Sequence, residues 1–150
     1  MPPSSGAAAS LPEEVIAGPH WMRFEAPDLI CVRAHGNVTL AEMRDALAYQ
    51  RAVGERQGRV FLLADMSALG TIDPRARQDV GIIRSIPYRG IAVHGASFQA
   101  KIVIKMLMVA LRVFAPGADP HLHFFSTEAE ARRWIAERRA ALDREASGRS

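Results

Sequence analysis

Five consecutive apolar residues, Val60 to Ala64, run directly into Asp65-Met66-Ser67. A strand that is apolar on both faces has to be covered on both, the situation of an interior strand in a parallel sheet. Gly90 to Gly95 repeats the pattern and reads as a second interior strand. Between them Asp73 offers an N-cap and Pro74 the first helical position, opening a helix that ends near Ser85 because Pro87 follows. Strands alternating with helices require crossover connections, so the chain is expected to form an α/β domain with a mainly parallel sheet.

The flanking segments complete the order. His20 to Glu25 and Leu29 to His35 surround the turn tripeptide Ala26-Pro27-Asp28 and read as an antiparallel edge hairpin, with Ile30, Val32 and Ala34 on one face. Thr39 introduces a helix to about Gln57, where Leu40, Met43, Leu47 and Val53 approximate helical spacing and Gly58 supplies the stop. Ser97 caps a long helix to about Ala115, ended by Pro116-Gly117. Leu122 to Phe125 is the last strand, and Ser126 or Thr127 caps the last helix, Thr127 and Glu130 being spaced for a capping box. The expected order is ββαβαβαβα, a five-stranded sheet with about four helices. Residues 1–17, rich in Pro, Ser, Ala and Gly, are expected to be a disordered tail, residues 18–145 the domain, and residues 146–150 a frayed end.

A chain of 150 residues with 49% hydrophobic side chains buries a single core without staples. Nineteen basic against 16 acidic residues leave a net charge of +3, with the arginines interleaved among acids, so no nucleic-acid partner is expected. The lone Cys31 lies in an apolar run and excludes an internal disulfide, a CxxC pair and a zinc-finger spacing. The longest apolar stretch, Ile102 to Ala115, is broken by Lys105 and Arg112 and falls short of the ~20 residues needed to cross hydrocarbon. Residues 1–17 lack the charged start and apolar stretch of a secretory signal. A cytoplasmic protein is expected, with membrane contact at most peripheral. No P-loop, dinucleotide glycine fingerprint or HExxH occurs, so neither a cofactor nor an enzyme activity is expected.

The segment from Phe61 to Val80, FLLADMSALGTIDPRARQDV, resembles the signature of SpoIIAA-like, or STAS, domains: an apolar strand, then D-x-S, then an Asp-led helix start. Asp65-Met66-Ser67, Asp73-Pro74, the strand GIAVHGASF and the terminal FFSTEAEARRWI helix carry the likeness over roughly Gly18 to Leu142. It is greatest for stand-alone bacterial proteins of the STAS/SEC14-type, which share a fold class with lipid-carrying CRAL-TRIO domains. The resemblance implies a binding module rather than an enzyme. The best-known members are anti-sigma factor antagonists, switched by phosphorylation of a serine directly after the second Asp. Pro74 occupies that position here and has no hydroxyl. Thr71 or Ser67 could take its place as a phosphosite, or serve only in turns and caps. On this likeness a protein partner, or self-association, is expected at Asp65, Ser67, Thr71, Asp73, Arg75 and Arg77.

Other constellations carry less. His121 and His123, two apart in a strand, share a face but lack a third ligand, so no metal site is expected. His94 and Asp65 fall near carboxyl ends of parallel strands, where open α/β sheets place ligands; a loop-organising hydrogen bond is the simpler role. Gly95-Ala96-Ser97-Phe98-Gln99 partly matches a nucleophile elbow, with Asp119 and His121 following in hydrolase order, but its last glycine is missing. A small serine hydrolase is thus a remote alternative, and Ser97 reads as an N-cap.

The helix from Ser97 to Ala115 is the most informative element. At about 100° per residue Ser97, Lys101, Lys105, Met108 and Arg112 fall in a sector of about 80°, leaving roughly 240° apolar apart from Gln99. That is more than one sheet covers. The surplus would meet neighbouring helices, a second subunit, a membrane surface or a small apolar ligand. Phe98, Ile102, Met106, Val109 and Val113 are the expected ligand-lining residues, and Lys101, Lys105 and Arg112 the expected contacts for an anionic headgroup or an acidic partner. Two functions follow: a regulatory protein-binding module, or a carrier of small lipophilic molecules.

Overall fold

The computed structural model describes residues 11–148. It contains β1 (Glu14–Ala17), β2 (His20–Glu25), β3 (Leu29–Val38), α1 (Leu40–Gln57), β4 (Val60–Ile72), α2 (Ala76–Asp79) running into a 3-10 helix (Val80–Ser85), β5 (Tyr88–His94), α3 (Phe98–Phe114), β6 (Leu122–Phe125) and α4 (Glu128–Gly148). The strands form one sheet in sequence order, with β1, β2 and β3 antiparallel and β3 to β6 parallel.

The expected α/β sheet is present, with six strands rather than five. The additional strand, Glu14–Ala17, lies inside the segment expected to be a tail; it pairs with β2 from Glu14↔Arg23 to Ala17↔His20, so backbone pairing orders residues whose composition alone argues for disorder. At the other end α4 continues to Gly148, past the point where fraying was expected. Residues 1–10 and 149–150, also assigned to the two tails, lie outside the described residues. β4 continues through Asp65-Met66-Ser67 to Ile72, because β3 is long enough to keep pairing with it as far as Val38↔Ile72. The 74–85 helix is split in two. Val80, Gly81, Ile82 and Ile83, weak helix formers in succession, account for the tighter second half.

Local signals set the helix ends. Thr39 and Glu42 form a capping box at α1, Glu42 N donating to Thr39 Oγ1 (3.1 Å) and Thr39 N to Glu42 Oε1 (3.0 Å), and Gly58 closes the helix with φ 84°. Ser97 Oγ accepts from Ala100 N (3.1 Å) at α3, and Thr127 with Glu130 forms the expected box at α4.

Alternation along the strands divides the core in two. Ile30, Leu62, Ala64, Ile91 and Val93 point to the side covered by α1, the 3-10 helix and α3, where they meet Leu47, Val53, Ile83, Ile104 and Leu111. Leu29, Cys31, Phe61, Leu63 and Ala92 point to the other side, against Ala131 and Ile135 of α4. The central strand is thus covered on both faces, as its composition requires. Among the described residues no helix is long and apolar enough to cross a membrane.

Candidate functional site

Three concave or exposed surfaces carry the residues of interest. The first is an apolar cavity of about 160 Å³ between the sheet and the helices α1 and α3, lined by Val32, Ala64, Val93, Met43, Ile104 and Met108 among others. Its few polar side chains are occupied within the chain. His20 accepts at Nδ1 from His35 N (3.1 Å), which leaves the ring proton on Nε2, and Nε2 donates to Glu42 Oε1 (3.1 Å) and Asn37 O (3.2 Å). At the other polar point Tyr88 Oη donates to Gln50 Oε1, and Gln50 Nε2 contacts Met22 Sδ at 3.6 Å. Burial pushes the Tyr88 phenol far above its ordinary value, so it stays a neutral donor. A guest in this space finds dispersion contacts and no free hydrogen-bonding group.

The second surface is the outer side of α3. Phe98 (78% exposed), Ile102, Met106, Val109 (54%) and Val113 (65%) form a continuous apolar run at helical spacing. None of these five lines the cavity, which takes Ile104, Leu107 and Met108 from the opposite flank instead. The reason is angular: Ala100, Ile104 and Leu111 face the sheet, and Phe98, Ile102 and Val109 lie on the far side of the cylinder. Lys105 and Arg112 are exposed along one border of the run, with Lys101 half-buried beside them. Both lysine ammonium groups lie 5.9 Å from the Phe124 ring. A groove of about 330 Å³ borders the run and joins Met106, Val103 and Leu107 of α3 to Thr71, Pro74 and Arg77.

The six residues expected to form one partner surface are therefore separated. Thr71 and Arg77 border α3. Asp73 and Arg75 form a local exposed pair, Arg75 N donating to Asp73 Oδ1 (2.9 Å) and Arg75 Nη2 to Oδ2 (2.7 Å). Asp65 and Ser67 lie on β4, Asp65 on the opposite face of the sheet from the cavity. Asp65 Oδ1 accepts from Ser67 N (3.0 Å) and Ser67 Oγ (2.7 Å), both within β4. Burial opposes its charge, but these two bonds, His94 and Arg33 together hold the Asp65 carboxyl below the usual range. Thr71 N and Oγ1 both donate to Asn37 Oδ1 (2.9 and 3.1 Å).

The third surface is a polar cleft of about 320 Å³ on that opposite face, lined by Trp21, Arg23, Arg33, Asp65, His94 and Arg132 among others. Behind it, Glu25 accepts from Arg132 and Arg23 and stays ionised down to about 2. Burial raises the thiol of Cys31, leaving it protonated at neutral pH. Sequence reasoning named Asp65 and His94 but missed Trp21, Arg23, Arg33 and Arg132. The signal available was alternation, which sets Arg33 two residues beyond Cys31 on the face away from Val32 and Ala34.

Ser97, His121 and His123 each have a partner within the fold. Ser97 is the N-cap of α3, at the carboxyl end of β5, while His121 precedes β6 and its carbonyl accepts from Ile91 N, so no hydrogen bond assembles a triad. His121 sits beside Asp119 (3.6 Å), and His123 packs on Trp134 with ring centroids 4.9 Å apart.

Comparison with known proteins follows the same fold. Residues 29–136 match the SpoIIAA-like family model. A search of curated proteins finds no match. The solved structure of the anti-sigma factor antagonist SpoIIAA in its unphosphorylated form is 14% identical with a TM-score of 0.50, over 77% of this chain and 96% of that one. An uncharacterised DUF3478-family protein with a SpoIIAA-like fold, from Shewanella loihica PV-4, is 17% identical with a TM-score of 0.54, over 83% of this chain and 97% of that one. With the family model covering well over half its length, the chain belongs to the SpoIIAA-like family.

Proposed function

We propose that this protein is a non-enzymatic binding module whose recognition element is the outer face of α3, and that its partner is a regulatory protein presenting an acidic, apolar segment. The supporting observation is the exposed run Phe98, Ile102, Met106, Val109 and Val113, five apolar side chains that the domain itself leaves in water. Lys101, Lys105 and Arg112 border the run and α3 carries no acid, so the complementary surface is acidic. Thr71, Pro74 and Arg77 extend the surface across the adjoining groove. SpoIIAA is an anti-sigma factor antagonist, and the transfer of that class of role points to a regulatory partner. Pro74 offers no hydroxyl, so switching at that position is not part of the reading. A photocrosslinking amino acid at Val109, with one at the exposed Glu137 of α4 as control, tests it in the source cells. One defined protein adduct from position 109 alone is expected. Identical adducts from both positions, or none, would overturn the assignment.

A second reading, carriage of a small lipophilic molecule, is favoured by the cavity. An apolar guest in this space of about 160 Å³ would gain dispersion contacts with its aliphatic lining. Native mass spectrometry of protein prepared without detergent, followed by organic extraction, should then show a bound small molecule; an empty protein defeats this reading.

A further inference from the structure

Trp21, Arg33, Asp65 and His94 are register partners across β2, β3, β4 and β5, so their side chains form one row on one face of the sheet. His94 ends β5, whereas Arg33 and Asp65 lie midway along the longer β3 and β4. α4 packs over the neighbouring Phe61, Leu63 and Ala92 and leaves this row facing the polar cleft, with Glu128, the first residue of α4, at its rim.

The hydrogen-bonding account of the cleft is uneven. Its carboxylates are satisfied: Asp65 by Ser67, Glu128 Oε2 by Arg132 Nε (2.8 Å), and Glu25 behind them by Arg23 and Arg132. Among the described residues three donor groups are not: Arg23 Nε, which is buried with no partner, and the side chains of Arg33 and His94. Arg33, 63% exposed in its side chain, has a 3.5 Å contact from Nε to Asp65 Oδ2, and its two terminal nitrogens have no acceptor among the described residues. Its guanidinium stands 5.4 Å from the centre of the Trp21 ring, which orients the planar group. His94 is 8% exposed, lines the cleft beside Asp65, and makes no hydrogen bond among the described residues.

We propose that this cleft binds a small oxyanion, a carboxylate or a phosphate group, held by the Arg33 fork and by the ring of His94. A guanidinium fork with free terminal nitrogens matches the two oxygens of such a group. The lining holds Arg23, Arg33 and Arg132 against Asp65 and Glu128, and Glu25 brings the ensemble to neutrality. Selection therefore comes from the unfilled donors and not from net charge. The site lies on the other side of the sheet from the cavity and α3, so it stands apart from the functions proposed above.

The test follows the His94 ring signals by heteronuclear NMR during titration with inorganic phosphate and, separately, with acetate, at an ionic strength held constant with sodium chloride. A saturable shift of His94 is expected. Saturation by phosphate alone assigns a phosphate group, by acetate alone a carboxylate, and by both the shared oxyanion chemistry. Arg33→Gln changes an exposed side chain and keeps the fold; it should weaken binding by about tenfold or more. Arg51→Gln, which removes an exposed arginine on α1, should leave binding unchanged. A strictly linear response, an equal response to chloride, or an Arg33→Gln protein that binds like the parent would overturn the proposal.

Discussion

Gly18 lies directly under the carboxylate of Glu42: a β-carbon on Gly18 would run into Glu42 Oε2, and its φ of 62° is in the region that disfavours side chains. Glu42 in this place accepts from His20 Nε2 and Thr39 N, joining the β1–β2 turn to the start of α1 at the polar end of the cavity. Gly18→Ala is expected to lower the free energy of unfolding by about 1 to 3 kcal/mol through backbone strain and displacement of that carboxylate. Urea unfolding measures it, and an unchanged midpoint contradicts the packing described.

Acid should loosen the contact between the edge hairpin and α4. Arg132 holds the Glu25 carboxyl at about 2 against an ordinary 4.5, with burial opposing and Arg23 and Cys31 assisting. A lowered folded value contributes stability that is complete above the unfolded value and is lost as pH falls through the folded one. The urea midpoint should therefore decline between pH 4.5 and 2. Glu25→Gln should begin less stable at pH 6 and show a smaller decline; a decline equal to the parent's counts against the pairing.

Filling the apolar cavity should strengthen the fold. Ala64 is 1% exposed, sits on β4 and lines the space, so Ala64→Val adds methyl groups to a void in a strand that favours β-branching. A gain of about 0.5 to 1 kcal/mol is expected, with loss of any extractable apolar guest. A destabilised variant would show that the neighbouring side chains leave no usable room.

Asp28, 2% exposed, accepts from Arg59 Nε (2.7 Å) and from Arg139 Nε (3.1 Å), tying the β2–β3 turn to the start of β4 and to α4. Removing one partner of a buried ion pair strands the others. Asp28→Asn should lower stability by about 3 kcal/mol and speed amide exchange in α4. Unaltered exchange there would show that α4 is held by its apolar contacts alone.

Much of the fold is legible because its signals are local. Thr127 and Glu130 declare a capping box by spacing, and Val60 to Ala64 declare a doubly covered strand by composition. β1 was hidden because Glu14 to Ala17 has an unremarkable composition and gains its order from a partner strand, which no window along the chain reveals. The five α3 residues expected to line a ligand site do share one face, and that face is the exposed one and does not line the cavity. Periodicity shows that Ile102 and Val109 share a face with Phe98; it does not say which apolar flank the sheet covers. The cleft escaped notice for a related reason: Trp21, Arg33, Asp65 and His94 are far apart in sequence and meet only through strand register.

The alternation described for β3, β4 and β5 has one more result. Val32, Ala64 and Val93 line the cavity, while their immediate successors Arg33, Asp65 and His94 line the cleft. The two chambers stand back to back, separated by the thickness of a single backbone. Sliding any of these strands by one residue would thrust a charged or imidazole group into the oily chamber and an aliphatic one into the wet one, so each lining acts as a lock on the alignment of the other.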